Sequence, residues 1–142
     1  MTGKVFIVCR NFKRSRTMSY YSLLLVGFGG FLGSVLRFLV GVGMVRALPG
    51  YWPYGTFAVN LIGCLLIGIF YGLFSKEVLL DHGSKLWIVG FCGGFTTFSS
   101  FSYDGLRLLQ EEQWLLYGLY TGGSVVLGLL ATYIGWTLVR IG

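Results

Sequence analysis

The sequence predicts an all-α integral membrane protein with four transmembrane helices, and three observations lead there. First, 55% of the 142 residues are hydrophobic and only 11% are charged, less than half of the roughly 25% charge that covers a soluble domain. Second, no Asp, Glu, Lys or Arg occurs between Arg46 and Lys76, between Lys85 and Asp104, or between Glu112 and Arg140. A fourth apolar stretch begins near Tyr21 and is interrupted only by Arg37. Third, each run is apolar on all sides and supplies the roughly 20 residues that a bilayer-crossing helix needs. Barrel strands would instead alternate polar and apolar positions over about ten residues. The spans fall at about 21–45, 54–74, 86–108 and 114–139. The chain is too short to hold a soluble domain as well, so 18–142 forms one four-helix membrane domain behind a basic extension, 1–17.

That extension holds Lys4, Arg10, Lys13, Arg14 and Arg16, five of the eleven basic residues behind the net charge of +6. The cluster fits a cytoplasmic flank against anionic headgroups, not a nucleic-acid surface. The apolar run after it is too long for a signal peptide, and no small-residue cleavage site follows. The first span carries Gly27, Gly29, Gly30, Gly33, Ser34 and Arg37. Leu48-Pro49-Gly50-Tyr51-Trp52-Pro53 reads as a turn with interfacial aromatics, and Pro53 suits the first turn of the next helix. The second span contains Gly55, Thr56, Asn60, Gly63, Gly68 and Gly72, and the loop after it holds the single histidine, His82, in a solvated setting. After the third span, Asp104–Gln113 makes a polar connection to a fourth span bearing Gly118, Thr121, Gly122, Gly123, Ser124, Gly128 and Thr132.

Small residues stand four apart at Gly29/Gly33, Gly68/Gly72, Gly118/Gly122 and Ser124/Gly128. In lipid this spacing allows close backbone approach, because van der Waals contact drives helix association. Four short helices enclose little space, so an oligomer is expected. The three cysteines, Cys9, Cys64 and Cys92, form no C-x-x-C pair and read as packing residues. With both termini cytoplasmic, the basic residues divide eight against two, a positive-inside bias. Met18 offers a second start, in which case 1–17 is not translated and the tally is three against two. A chain so balanced inserts both ways, and opposed copies can pair as an antiparallel, dual-topology dimer.

One histidine, no paired carboxylates in the spans, no metal-ligand cluster and no P-loop argue against an enzyme. The third span is the most informative: Gly93-Gly94 and then Thr96-Thr97 are weak helix formers at mid-membrane. Broken backbone is tolerated there only where protein buries it or a water-filled cavity meets it, so helix 3 is expected to break near its middle. Such a break frees carbonyls suited to a desolvated cation such as sodium. Phe98 and Phe101 share one face; Thr97, Ser100 and Asp104 line another. Asn60 and, one turn before it, Thr56 form a polar stripe on the second span, and Ser124 adds a hydroxyl on the fourth. These are donors and aromatic rings, without an acid in any span interior, which suits an anion more than a cation. Phenyl rings offer a positive edge, and Arg37 adds positive potential. Arg37 stands about 24 Å along its helix at 1.5 Å per residue, near the far interface, where snorkelling is a serious alternative.

Three stretches resemble the Fluc (CrcB) family of bacterial fluoride channels: Gly29-Gly30-Phe31-Leu32-Gly33-Ser34-Val35-Leu36-Arg37-Phe38, Gly55-Thr56-Phe57-Ala58-Val59-Asn60-Leu61-Ile62-Gly63, and Gly90 to Phe101. The resemblance extends from Met18 to the C-terminus. It implies passive fluoride export across the bacterial cytoplasmic (inner) membrane by a dual-topology homodimer. A structural sodium ion on the dimer two-fold axis, held by the backbone carbonyls of Gly93 and Thr96, comes with it. Phe98 and Phe101 match the pore-lining phenylalanines and Asn60 the pore asparagine, while Asp104 stands where a Glu is expected. Ser124 is the candidate helix 4 hydroxyl, and Thr97, Ser100, Thr56 and Arg37 complete the fluoride path. If the extension is translated and fixes one orientation, an oppositely oriented paralogue replaces the second copy. The competing functions are a small multidrug-resistance-type proton-coupled exporter and a non-transporting assembly subunit. The exporter needs a titratable acid in the membrane, and the only charge in helix 1 is Arg37. The assembly subunit has no need of Asn60 or the hydroxyl stripe.

Overall fold

The structure is a computed structural model that describes residues 19–76 and 81–141. Prolines, glycines and polar residues set the helix ends. Helix α1, Tyr20–Ala47, closes with the Leu48 N–H on the Met44 carbonyl at 2.9 Å, just before Pro49 and Gly50, neither of which favours continuing a helix. Helix α2, Tyr54–Ser75, starts directly after Pro53, whose carbonyl accepts the Phe57 N–H at 3.1 Å. Next comes α3, residues 81–95, in which Ser84–Cys92 is π-wound and Gly93–Phe95 returns to α geometry. Thr96 and Thr97 are extended, and α4 follows as Phe98–Gln110. The end of α4 is tied by the Gln113 N–H on the Leu108 carbonyl at 2.9 Å, with Glu112 in the left-handed region at φ 56°. This closure usually employs glycine at the left-handed position. Helix α5, Trp114–Ile141, completes the chain.

Helices α1, α2 and α5 are long and apolar enough to cross a membrane. They coincide, within a few residues, with the spans expected at 21–45, 54–74 and 114–139. The span expected at 86–108 is divided between α3 and α4 by the two extended threonines. The basic extension at 1–17 lies outside the described residues.

Glycine decides which helices touch. A Cβ on Gly33 would collide with the Phe91 carbonyl and lie 2.8 Å from the Phe95 nitrogen, and one on Gly94 would collide with the Gly30 carbonyl. The α1–α3 seam is therefore backbone on backbone. Across α2 and α5, a Cβ on Gly68 would meet the Thr132 carbonyl, and one on Gly135 the Leu65 carbonyl. By contrast, Gly118 and Gly122 have no atom within 4 Å of an added Cβ. The core these seams enclose is small: Val59, Cys92, Phe95, Leu108 and Tyr120 are at most 2% exposed. Outward faces carry large apolar side chains such as Leu24, Phe28, Phe31, Leu115 and Leu129, as expected where lipid tails, not water, surround the helices. Cys64 and Cys92 are free thiols within this packing, and Cys92 is buried.

Candidate ion pathway at the helix break

Two β-branched residues in succession favour extended backbone, and here that backbone is held by a side chain from another helix. Asn60 on α2 donates from Nδ2 to the Thr97 carbonyl at 3.0 Å and accepts the Thr97 N–H on Oδ1 at 2.8 Å. One amide thus replaces both hydrogen bonds that Thr97 would make inside a helix. Thr97 is 8% exposed, so water gives little substitute. The break also satisfies two further acceptors. The Thr96 hydroxyl and N–H both donate to the Cys92 carbonyl, at 2.9 and 3.0 Å, and the Ser34 hydroxyl donates to the Gly94 carbonyl at 3.4 Å. Gly63 on α2 leaves the room that the Thr96 methyl fills.

Thr97 is the N-cap of α4, with its hydroxyl oxygen accepting the Ser100 N–H at 3.2 Å. The same hydroxyl donates to the Ser100 hydroxyl at 3.1 Å and lies 3.1 Å from that of Ser99. Three hydroxyls therefore collect at a helix N-terminus, the end whose free N–H groups and dipole favour negative charge. Beside them is a cavity of about 320 Å³ lined by Ser34, Arg37, Gly41, Thr56, Thr97 and Ser100. The site residues Arg37, Thr56, Thr97 and Ser100 come together on its wall, and no acid lines it.

The phenylalanines extend this arrangement. The Phe98 and Phe101 rings stand 5.6 Å apart, and Phe101 packs 5.2 Å from the Tyr120 ring. Phe98 projects outward at 79% exposure. Tyr120, fully buried, meets Trp52 edge-on at 5.9 Å and 84°. Its hydroxyl is buried and closes no bond of good geometry, but Asp104 and Thr56 lie within hydrogen-bonding influence of it and Arg107 acts on it at longer range. Asp104 therefore joins the group through Tyr120. Ser124, one turn further along α5, is half-buried, lies off the cavity, and makes no hydrogen bond among the described residues. Tyr120 is the residue that the sequence reading passed over; its only signal is a place four residues before Ser124, on the same face.

Among the described residues no cluster of His, Cys, Asp or Glu could bind a metal. Backbone oxygen is the remaining donor type. Gly93 is exposed with open space about it, and its carbonyl and that of Thr96 accept no hydrogen bond among the described residues. Free neutral oxygens fit a hard cation such as sodium.

A family model described as CrcB-like protein, Camphor Resistance (CrcB), matches residues 24–136. The chain belongs to the CrcB family. A fluoride-specific ion channel of Pseudomonas syringae pv. syringae is 48% identical over 122 residues, covering 84% of this chain and 98% of the relative. One of Phocaeicola vulgatus is 46% identical over 114 residues, covering 80% of this chain and 94% of the relative. A third, of Nitrobacter hamburgensis, is 43% identical over 125 residues, covering 87% and 99%. Membership of this family, together with three membrane-length helices, makes the chain a multi-pass membrane protein. The matched region contains α1 to α4 almost entirely and most of α5, so the break lies inside it.

Proposed function

We propose that this chain is the subunit of a fluoride-selective passive channel, which exports fluoride across the cytoplasmic membrane and lowers its intracellular concentration. In this reading α3 and α4 together make a fourth, broken crossing, and two copies of opposite orientation pair as an antiparallel homodimer. An oppositely oriented paralogue takes the second place if the basic extension fixes one topology. The observation that carries the proposal is the break at Thr96–Thr97. Its polar groups near the cavity are hydroxyls at a helix N-terminus, while Asn60, Ser34 and Thr96 hold three of its carbonyls in hydrogen bonds.

Fluoride is small and strongly hydrated, so a conducting path must offer donors as water is removed, and weak sites in series so that the ion leaves again. Arg37 beside the cavity raises the local anion concentration. Ser100 and Thr56 supply hydroxyl donors, Thr97 orients Ser100 through the hydroxyl bond it donates, and the edges of Phe98 and Phe101 supply weakly positive C–H groups. Asn60 holds Thr97 in place, with one amide hydrogen left for an anion. Asp104 and Ser124 belong to the far end of the path in this scheme. Sodium bound by the Gly93 and Thr96 carbonyls would add a fixed positive charge at the two-fold axis.

The test is fluoride efflux from liposomes holding the purified protein, read with a fluoride electrode beside a chloride control. Fast efflux that needs only a potassium shunt, with negligible chloride leak, is expected. A well-folded dimer that passes no fluoride would overturn the homomeric channel.

A further inference from the structure

Four arginines lie among the described residues, and the protein itself engages two of them. Arg107 donates to the Tyr51 carbonyl at 3.0 Å, and the Arg140 guanidinium lies 4.5 Å over the Trp136 ring. Arg37 borders the ion cavity. Arg46, exposed in the last turn of α1, makes no hydrogen bond or ion pair among the described residues. The end of a helix favours a cation there, but that attraction leaves the donors of the guanidinium open. Its neighbours set its depth. Tyr51 and Tyr54 are exposed in and just after the turn that follows α1, and aromatic residues so placed settle at the level of lipid headgroups.

Arg46 also ends an open groove of about 370 Å³, whose other walls are Phe38, Gly41, Val42 and Val45. Gly41 keeps it open, since a Cβ there would meet nothing within 4 Å. Apart from Arg46, every lining residue is apolar, so the groove offers an anion no donors along its length. From Phe38 to Arg46 the helix rises about 12 Å at 1.5 Å per residue. That is most of the roughly 15 Å of hydrocarbon in one leaflet. A cation at headgroup depth, above an apolar trough of leaflet length, matches the two halves of an anionic phospholipid.

We infer that this groove holds one such lipid, its phosphate bonded by Arg46 and one acyl chain laid along Phe38, Val42 and Val45. The planar fork of a guanidinium suits phosphate oxygens, and anionic headgroups attract basic residues at the membrane surface. A second copy of the chain would cover the apolar walls, but only a partner that brings an oxyanion to headgroup depth uses Arg46 as well. Phe38 and Gly41 line both the groove and the ion cavity. The bound acyl chain therefore also walls that cavity off from the surrounding lipid. The inference needs the membrane setting of α1 and is independent of fluoride transport.

The experiment is native mass spectrometry of the purified full chain, offered equal amounts of phosphatidylglycerol and phosphatidylcholine with matched acyl chains. Wild type should retain phosphatidylglycerol about tenfold over phosphatidylcholine, the preference that one charge-assisted hydrogen bond supplies. Arg46→Gln should lose most of that preference and Arg46→Lys should keep most of it. Val42→Trp, which fills the groove, should lower retention of both lipids. Equal retention of the two lipids by wild type would overturn the inference, as would an undiminished preference in Arg46→Gln. So would Val42→Trp that melts like wild type yet elutes as a monomer, because a second copy would then be what fills the groove.

Discussion

Replacing Asn60 with alanine removes both hydrogen bonds that hold the break, at 3.0 and 2.8 Å. Thr97 is 8% exposed, so its N–H and carbonyl gain little water in exchange. A buried group left unsatisfied costs about 1–3 kcal/mol, whereas measured interhelical bonds in membranes average about 0.6 kcal/mol. Two such bonds therefore place the loss at about 1–6 kcal/mol, and a value near 3 kcal/mol reduces the native break conformation roughly a hundredfold relative to its alternatives. Asn60→Asp separates geometry from charge. Its carboxylate still accepts the Thr97 N–H, cannot donate to the Thr97 carbonyl, and adds a negative charge beside an anion path. Liposome efflux should fall at least about tenfold in both variants. Thermal melting in detergent should fall in the alanine variant. Wild-type flux and melting in both would refute the assignment of Asn60 as the residue that holds the break.

Phe98→Ile and Phe101→Ile should each lower fluoride flux but differ in stability. Phe98 is 79% exposed within the subunit, so its truncation leaves subunit folding nearly unchanged, whereas Phe101→Ile loses its contact with Tyr120, worth about 1 kcal/mol. Melting curves run beside the efflux traces check both, and full flux in the two variants would leave the rings as packing. Gly33→Ala should destabilise by about 1–3 kcal/mol or more, because the added methyl meets backbone that cannot move aside. Gly118→Ala, in open space, should stay within about 1 kcal/mol of wild type; equal effects would discredit the seam. Exchange of sodium for N-methylglucamine throughout purification should reduce dimer recovery on size exclusion, and unchanged recovery would remove sodium from the assembly.

Features with a local cause were visible in the sequence. Charge-free runs mark α2 and α5, an apolar stretch interrupted by Arg37 marks α1, and Gly93-Gly94 before two threonines marks weak helix. What stayed hidden depends on contacts distant in the chain. Nothing near Asn60 announces that it bonds Thr97, and an isolated amide within a span is equally consistent with any interhelical bond. Arg37 reads as a snorkelling residue because length along a helix says nothing of the cavity that α2 and α4 place beside it. Tyr120 was missed because an aromatic residue in an apolar helix looks like packing; its polar tip matters only once Asp104, Thr56 and Arg107 converge on it. Hydroxyl type drew attention to Ser124, which the fold leaves without a hydrogen-bond partner among the described residues. The π-winding of Ser84–Cys92 has no local signature, and we find no physical account of it beyond the tight glycine seam it faces.

A broken helix is an awkward place for an anion, because breaking it releases carbonyl oxygens that repel negative charge. Here the release is managed group by group. The Cys92 carbonyl receives two donors from Thr96, the Gly94 carbonyl receives Ser34, and the Thr97 carbonyl receives Asn60. Each of those donors comes from a side chain or backbone group that the motif places within reach. With the acceptors occupied, the groups still open beside the cavity are hydroxyls and the first N–H groups of α4. The Gly93 and Thr96 carbonyls escape this treatment, and Gly93 is on the exposed surface, so these are the two oxygens that the proposed sodium would use. One local weakness in the sequence can thus serve both signs of charge, provided that Asn60 keeps the Thr97 carbonyl occupied. That dependence explains why a single amide, and not the hydroxyls around it, is the residue whose replacement should damage the pathway most.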